Sequence, residues 1–246
     1  MMRLRMMALL CGLSALAVTA CGGERGVGSS GAAAGGATSV AAAASEPIVD
    51  LGPVVPGTAP PNPYGAEQIE RGRYLTRIGS CNDCHTPSIF DLELGVPRPD
   101  MTRELAGHPK GGPEPGGTVA PTDIGLIGPT FTSFALPFGT IYSINLTPDI
   151  DTGTGTWTEE MFLEIFRSGR HLGGDGRGVL PPMPWLWIRN LRDEDLVAIF
   201  AYLRSLPPIH NPATDPKIAE PTIWQLRDSF DRLAKELPKE EWAAGR

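Results

Sequence analysis

Two cysteines lie three positions apart about a third of the way along the chain, and a histidine directly follows the second. The stretch is Cys81-Asn82-Asp83-Cys84-His85. C-x-x-C-H is the pattern of covalent c-type haem attachment, because each of the two thiols can form a thioether to one haem vinyl group. The histidine that follows supplies the proximal nitrogen ligand of the iron. The motif therefore predicts one covalently attached haem c, held by Cys81, Cys84 and His85.

A C-x-x-C pair without the histidine would be ambiguous, because zinc ribbons and thioredoxin-like redox sites share it. A zinc site needs more ligands than this chain offers, and a redox pair is expected beside a βαβ pattern, of which the sequence has no trace. A non-haem binding module with both thiols free stays open as a hypothesis, and the position of His85 argues against it.

The N-terminus has the layout of a secretory signal peptide over residues 1–20. Arg3 and Arg5 precede an uncharged apolar run over 6–18, which is too short for an efficient membrane span. The run ends in VTAC, which resembles a bacterial lipobox and implies a lipoprotein whose first mature residue is lipidated Cys21. We expect lipid anchoring on the periplasmic side of the inner or outer membrane of a bacterium. Ordinary secretion with Cys21 incidental, or an uncleaved anchor, are the alternatives.

Charge limits the kind of partner. The predicted signal peptide holds two arginines and no acid, so its removal changes the formal net charge from −7 to −9. Nucleic acids are not expected as partners, because phosphate contacts need clustered Lys and Arg. Acidity suits steering toward a basic patch on a redox protein partner, or it serves only solubility.

Composition divides the rest of the chain into three parts. Residues 21–63 are Ala, Gly, Ser, Thr and Pro with hardly any large apolar side chain, which predicts a disordered tether. Residues 64–212 have the length of one domain. Residues 213–246 predict a C-terminal helical tail, which we expect to pack on its own domain, with partner docking as the alternative. The apolar residues of this tail repeat at spacings of three and four: Ile223, Leu226, Phe230, Leu233 and Leu237.

Apolar periodicity predicts three helices in the domain. The first, over 66–78, has an apolar stripe of Ile69, Tyr74, Leu75 and Ile78, with Gly72 allowing a close helix contact. The second begins at an N-cap, Thr158, and ends at Gly169. The third covers 193–206, with Leu196, Ile199, Phe200 and Leu203 on its apolar face. The proline- and glycine-rich stretch 86–138 is irregular, and we expect part of it to lie against the haem edge and part to form an exposed insertion.

Met183 is the candidate for the sixth iron ligand. It lies between Pro182 and Pro184, which fix the backbone of a stiff, non-helical loop. A thioether opposite a histidine raises the reduction potential and leaves no site for substrate. The alternative is a methionine that only fills a gap in the core. Met161 and Met101 are weaker candidates, because one lies on a helix core face and the other in a polar stretch.

Four motifs together resemble the haem domains of cytochrome c subunits from bacterial membrane-bound alcohol and sugar dehydrogenases and of related single-haem proteins, all class I c-type cytochromes. They are NLTPD at 145–149, TGTGTW at 152–157, PMPW at 182–185 and DEDLVAIFAYL at 193–203. The resemblance covers about 64–212 and implies an all-α cytochrome c fold, with small helices around one haem and long irregular loops. It also implies axial ligands His85 and Met183, and a first helix that crosses the last, with Gly72 near Phe200 or Tyr202.

The chain departs from that family in three ways. The dehydrogenase subunits carry several haem motifs and this chain has one. Arg192 stands where a capping Thr or Ser is usual, so Asp193 or another group is expected to cap the last helix. The insertion before Phe138 is long.

The predicted function is one-electron transfer by a membrane-tethered cytochrome, between a dehydrogenase or quinol-oxidising complex and an oxidase or other terminal acceptor. No catalytic residue is predicted. The alternative is a haem enzyme or sensor that reacts with peroxide, NO or CO at an open sixth position, with His108 or His171 as distal groups. A bis-histidine iron that uses His108 or His171 is a variant of this alternative.

Overall fold

The computed structural model describes residues 49–117, 119–121, 123–172 and 176–237, without the side chains of residues 220 and 221. The predicted signal peptide, the lipidation site Cys21 and the tether up to residue 48 lie outside these residues. Within the described ranges, no helix combines the length and the apolar character that a membrane crossing requires.

The described residues form six α-helices, five short strands and a 3₁₀ turn. The helices are α1 (Ala66–Ile78), α2 (Cys81–His85), α3 (Glu159–Ser168), α4 (Trp185–Ile188), α5 (Asp193–Leu203) and α6 (Glu220–Glu236). The strands are β1 (Ser88–Asp91), β2 (Val96–Pro99), β3 (Leu126–Ile127), β4 (Ser133–Leu136) and β5 (Gly139–Tyr142), and the 3₁₀ turn is Met101–Arg103.

Helices α1 and α5 form the most extensive contact between elements of the described chain. Gly72 lies in this contact, where a Cβ atom would stand 1.8 Å from the Ala198 carbonyl oxygen and 2.9 Å from the Tyr202 Cβ. Only glycine therefore allows the two helices to approach this closely. The predicted bounds of the first helix and the predicted proximity of Gly72 to Tyr202 agree with the structure.

The predicted apolar stripe of α1 is wrong at two positions. Tyr74 and Ile78 are 61% and 62% exposed, whereas Gly72 and Thr76 are buried. The small residues face α5 because the helices are too close for large side chains between them. Ile69 and Leu75 do pack against the core.

The core lies between α3, α4 and α5. Its buried cluster consists of Leu105, Phe162, Phe166, Trp185, Leu196, Ile199, Phe200, Tyr202, Leu203 and Leu206. All four apolar residues predicted for the last helix are buried in this cluster. Burying one such Leu or Phe side chain contributes about 1.5–3 kcal/mol. Helix α5 ends at Leu203, three residues before the predicted end, and Leu206 still reaches the cluster.

The ends of α3 and the start of α5 at Asp193 agree with the prediction, but the expected cap of α5 is not found. Thr158 Oγ1 accepts a hydrogen bond from the Met161 amide at 3.2 Å, and Gly169 ends α3 with a φ of 70°. At α5, no side chain caps the helix. Asp193, which was expected to cap it, instead accepts hydrogen bonds from Arg167.

Two small antiparallel sheets lie within and directly after the insertion, so the all-α class predicted from the resemblance is not confirmed. Strands β1 and β2 form a hairpin with Ser88 opposite Pro99. Strands β3, β4 and β5 form a second sheet in that order. Ser133, Phe134 and Ala135 of β4 are buried, which ties this sheet to the body of the domain.

Residues 49–63 lie along the domain, and for them the tether prediction does not hold. The Gly57 amide donates to the Pro208 carbonyl at 2.9 Å, and the Val55 carbonyl accepts from the His210 amide at 2.8 Å. Arg103 donates to the Leu51 and Gly52 carbonyls. Composition missed this ordering because the segment contributes backbone groups to these bonds, and such groups leave no signature in its side chains.

The C-terminal helix packs on its own domain, as the preferred interpretation expected. Phe230 and Ala234 contact the core cluster, and Asp231 forms a salt bridge with Arg170 at 2.8 Å. The Arg189 guanidinium donates to the carbonyls of Ala234 and Leu237, both at 2.9 Å. These bonds satisfy two of the open carbonyls that every helix leaves at its C-terminus.

Candidate functional site

The C-x-x-C-H motif forms the short helix α2, which follows α1 after a sharp turn. Ser80 makes this turn in the left-handed conformation, with a φ of 56°. Helical geometry places the thiols of Cys81 and Cys84 one turn apart, and the two cysteines are not joined in a disulfide. Both thiols are thus available for attachment at the edge of the core cluster, which Cys81 contacts.

The imidazole of His85 is oriented by a backbone carbonyl of the segment that follows β5. His85 is buried, and its Nδ1 lies 2.9 Å from the Ile144 carbonyl oxygen. A carbonyl only accepts, so Nδ1 carries the proton and Nε2 keeps its lone pair for a metal. Burial lowers the pKa of His85, against the smaller raising effect of the Ile144 bond, and the ring is therefore neutral at pH 7. A neutral, fixed imidazole is the form that binds haem iron.

The electrostatics of the two thiols argue against a redox or zinc site. Burial raises the pKa of Cys81 to about 11 and raises that of Cys84 as well. Reactive dithiols and thiolate ligands have lowered pKa values, so this environment is the opposite of what they need. In the part of the chain that the structure describes, the one group of three potential metal ligands is Asp149, Asp151 and His210, with no cysteine in it.

A polar network that sequence reasoning missed holds α2 against α5. Glu104 accepts hydrogen bonds from the Asn82 amide at 3.3 Å and from the Tyr202 hydroxyl at 3.0 Å. The Thr86 hydroxyl accepts from the Leu105 amide at 2.9 Å and from Asn82 at 3.1 Å. Glu104 lies 22 and 98 residues from its two partners, so no local pattern could have indicated it.

Met183 stands on a non-helical loop immediately before α4, as predicted. The Met183 amide donates to the Leu180 carbonyl at 3.2 Å, and the Trp185 amide donates to the Met183 carbonyl at 2.9 Å. These bonds fix the backbone on both sides of the thioether. Of the competing methionines, Met101 is exposed and Met161 belongs to helix α3.

A set of apolar side chains fits a flat apolar cofactor. Cys81, Leu146, Trp157, Val179 and Met183 all contact the core cluster, yet each remains partly exposed. Apolar groups that pack on a core and still face open space provide the kind of wall that a porphyrin would cover. Together with two thiols and a neutral imidazole, the residues present fit a covalent haem.

No family model matches the chain. A nicotinate dehydrogenase component of Pseudomonas putida is 31% identical over 164 residues, which are 67% of this chain and 10% of that protein. The cytochrome c subunit of alcohol dehydrogenase (quinone) of Gluconobacter oxydans is 32% identical over 134 residues, 54% of this chain and 20% of that subunit. The gluconate 2-dehydrogenase cytochrome c subunit of Pantoea cypripedii is 29% identical over 154 residues, 62% of this chain and 26% of that subunit.

The alcohol dehydrogenase and gluconate 2-dehydrogenase relatives are cytochrome c subunits of bacterial dehydrogenases. They imply a cytochrome c fold and the cofactor haem c for this chain. The chain spans between a tenth and about a quarter of the length of the three relatives compared.

The NLTPD motif at 145–149 has a structural role in this fold. Asn145 is buried, and its amide donates to the Ile209 carbonyl at 2.8 Å. Its Oδ1 accepts from the amide and the hydroxyl of Thr147 at 3.0 and 2.8 Å. These bonds tie the residue after Ile144 to the segment that follows α5, and so they fix the carbonyl that orients His85.

The two histidines considered as distal groups lie in different places. His108 is buried, with Nδ1 2.9 Å from the Thr132 hydroxyl, and its amide donates to the carbonyl of Ser143, the neighbour of Ile144. His108 therefore belongs to the His85 side of the site and is poorly placed as an opposite ligand. His171 lies on the loop that leads to Met183, with its ring centroid 5.9 Å from that of Trp157.

Proposed function

We propose that this chain is a membrane-tethered, single-haem c-type cytochrome with His/Met iron ligation that transfers one electron at a time. The observation that carries the proposal is the neutral imidazole of His85, oriented by the Ile144 carbonyl and directly preceded by the two thiols of α2. The sequence contains one C-x-x-C-H motif, which supports a single haem.

Each site residue has a separate task. Cys81 and Cys84 would hold the haem by thioethers, His85 Nε2 would bind one face of the iron, and the Met183 sulfur would bind the other. When bound, the haem supplies the one-electron iron couple. The chain fixes the ligands, excludes water with the apolar wall and tunes the potential, and with both axial positions filled no substrate reaches the iron.

The partner class follows from the relatives, and the location follows from the sequence. Because the relatives are cytochrome subunits of dehydrogenases, a dehydrogenase is the proposed electron donor, with a quinol-oxidising complex as the other option and an oxidase as one possible acceptor. Lipidated Cys21 would anchor the chain at the periplasmic side of the inner or outer membrane, with the tether giving the domain reach. The acidic net charge favours a basic docking patch on the partner.

A second candidate function is a haem enzyme or sensor with an open sixth position for peroxide, NO or CO. One observation favours it: His171 contacts Trp157 on the loop that leads to Met183, and burial, with the nearby Arg177 charge, lowers its pKa to about 4. A neutral imidazole there could serve a bound gas or peroxide as a distal group.

The test is the optical spectrum of the full chain, co-expressed with haem-maturation machinery, oxidised and reduced, with and without CO. We expect one covalently bound haem, a c-type spectrum, one reversible one-electron transition and no response to CO. Replacing both cysteines, Cys81→Ser with Cys84→Ser, should abolish covalent attachment. Ready CO binding by the wild type would favour the open-site function, and absence of covalent haem would contradict both haem functions.

A further inference from the structure

The loop between α3 and Met183 brings a histidine and an arginine together. The Val179 amide donates to the Gly169 carbonyl at 2.8 Å, and the His171 amide donates to the Arg177 carbonyl at 2.9 Å. The two arms of the loop are thus paired, which places His171 and Arg177 side by side. The same loop continues into Met183.

This pair of basic groups has no acidic partner in the described part of the chain. Arg177 is partly buried, and its guanidinium donates to the Gly178 carbonyl at 3.3 Å. No Asp or Glu among the described residues forms a salt bridge with it, and exposed Asp215 acts on it only at longer range. The neighbouring Arg167 and Arg170 do have carboxylate partners. A half-buried guanidinium without a counter-charge is costly, and a bound anion would remove that cost.

The pair lies at the apolar wall of the haem site. The His171 ring stands edge-on to Trp157, which with Val179 and Met183 belongs to the partly exposed apolar set described above. The two cysteines would bind the vinyl edge of the haem, and in haem the two propionate carboxylates lie away from that edge. His171 and Arg177 lie by Trp157 on the loop that leads to Met183, not in α2 with the cysteines, so a propionate carboxylate is the anion that the cofactor itself would bring to this pair.

We propose that His171 and Arg177 bind a haem propionate, with the Arg177 guanidinium as the counter-charge and the His171 ring as a second hydrogen-bond donor. This proposal rests on the proposed function, since it requires the covalent haem. It assigns to the two residues a positioning and potential-tuning role.

The charge of this pair affects the midpoint potential of the iron. An ionised propionate stabilises ferric iron, and a guanidinium beside it cancels part of that effect and keeps the propionate ionised at neutral pH. Without the guanidinium, the midpoint potential falls, and the pKa of the propionate rises into an accessible range. A propionate near ferrous iron holds a proton more tightly than one near ferric iron. Reduction is then accompanied by uptake of a proton at the propionate, so the midpoint potential falls as the pH rises.

The experiment is spectroelectrochemistry of the full-length holoprotein between pH 5 and pH 8. We expect a nearly pH-independent midpoint potential in the wild type and a lower, pH-dependent one in Arg177→Gln. Arg177→Lys keeps the charge and should restore most of the wild-type behaviour, and His171→Asn should lower the potential by less. Arg98→Gln is the matched control, because it removes the same charge from an exposed residue of the β1–β2 hairpin.

Three outcomes would overturn the proposal. One is an Arg177→Gln protein with a normal haem spectrum and an unchanged, pH-independent potential. Another is a saturable shift of the His171 ring resonances when acetate is added to the wild-type holoprotein, which would assign the pair to an external carboxylate such as that of a partner. The third is loss of the low-spin spectrum in His171→Asn, which would make His171 an iron ligand. Absence of covalent haem in the wild type would instead reject the proposed function on which the pair depends.

Discussion

At the scale of single residues, the buried carboxylate of Asp149 links distant parts of the chain. Its Oδ1 accepts from the Thr58 amide at 2.9 Å, and its Oδ2 accepts from the amide and the hydroxyl of Thr152 at 2.9 and 2.6 Å. Burial alone would raise the pKa of Asp149, but these bonds outweigh it and hold the pKa below the ordinary value. Asp149 thus ties the N-terminal segment to the loop that ends in α3.

We expect Asp149→Ala to lower the free energy of unfolding of the holoprotein by about 3 kcal/mol, because three donors on Thr58 and Thr152 lose a buried, charged acceptor. Urea denaturation at pH 7 measures this. Asp151→Ala is the control, since Asp151 is exposed and its replacement should change the stability by less than about 0.5 kcal/mol.

The difference in free energy of unfolding between wild type and Asp149→Ala should depend on pH. Since the folded pKa of Asp149 lies below its ordinary value of 3.8, the contribution of this carboxylate to the free energy of unfolding is fully present above that pH. The stability difference between wild type and Asp149→Ala should stay constant from pH 7 to pH 5 and shrink as the pH falls below about 3.8. A difference that grows toward low pH would contradict this role of Asp149.

The amino-acid sequence predicted which side chains form the site but not the contacts that hold these side chains in place. The spacing of C-x-x-C-H and the prolines around Met183 indicated which side chains could bind a haem. The tautomer of His85 depends on the Ile144 carbonyl, 59 residues away, and a backbone acceptor leaves no signature in side-chain sequence. Arg177 was missed for a different reason: an arginine without a carboxylate partner is recognisable only when its surroundings are known.

At the scale of elements, the crossing of α1 and α5 carries α2 and its cysteines. We expect Gly72→Ala to lower the free energy of unfolding by about 1–3 kcal/mol, because its Cβ would overlap the Ala198 carbonyl oxygen and force the helices apart. Thermal or urea unfolding of the holoprotein measures the change. Gly116→Ala is the control, since a Cβ at Gly116 meets nothing within 4 Å. Equal stability of the two variants would show that the crossing tolerates a wider helix separation.

The elements with strong local signals were predicted best. Helix α1 has its predicted bounds, and α3 begins at its Thr158 cap and ends at Gly169. The two small sheets were missed because their strands have two to four residues, too few to establish an alternating pattern. The exposed side of α1 was misjudged because a close helix contact reverses the usual rule that large apolar residues face the core.

At the scale of the whole molecule, segments far apart in sequence converge on one site. The segment after β5 supplies the Ile144 carbonyl, the insertion supplies Glu104, and the loop after α3 supplies His171 and Arg177. Residues 49–63 contact the segment that follows α5. Glu104 directly follows the 3₁₀ turn, so this part of the insertion contributes to the site through its bonds to Asn82 and Tyr202. The C-terminal helix completes this arrangement by covering the core cluster.

The central claim is that His85 and Met183 close both faces of a single haem iron, which makes the chain an electron carrier. The most direct measurement is the thioether-to-iron charge-transfer band of the ferric full-length protein, compared between wild type, Met183→Leu and the exposed control Met101→Leu. We predict the band in the wild type and in Met101→Leu and its loss in Met183→Leu, which should then also bind CO when reduced. A band that survives in Met183→Leu, or that is absent from the wild type, would contradict the account.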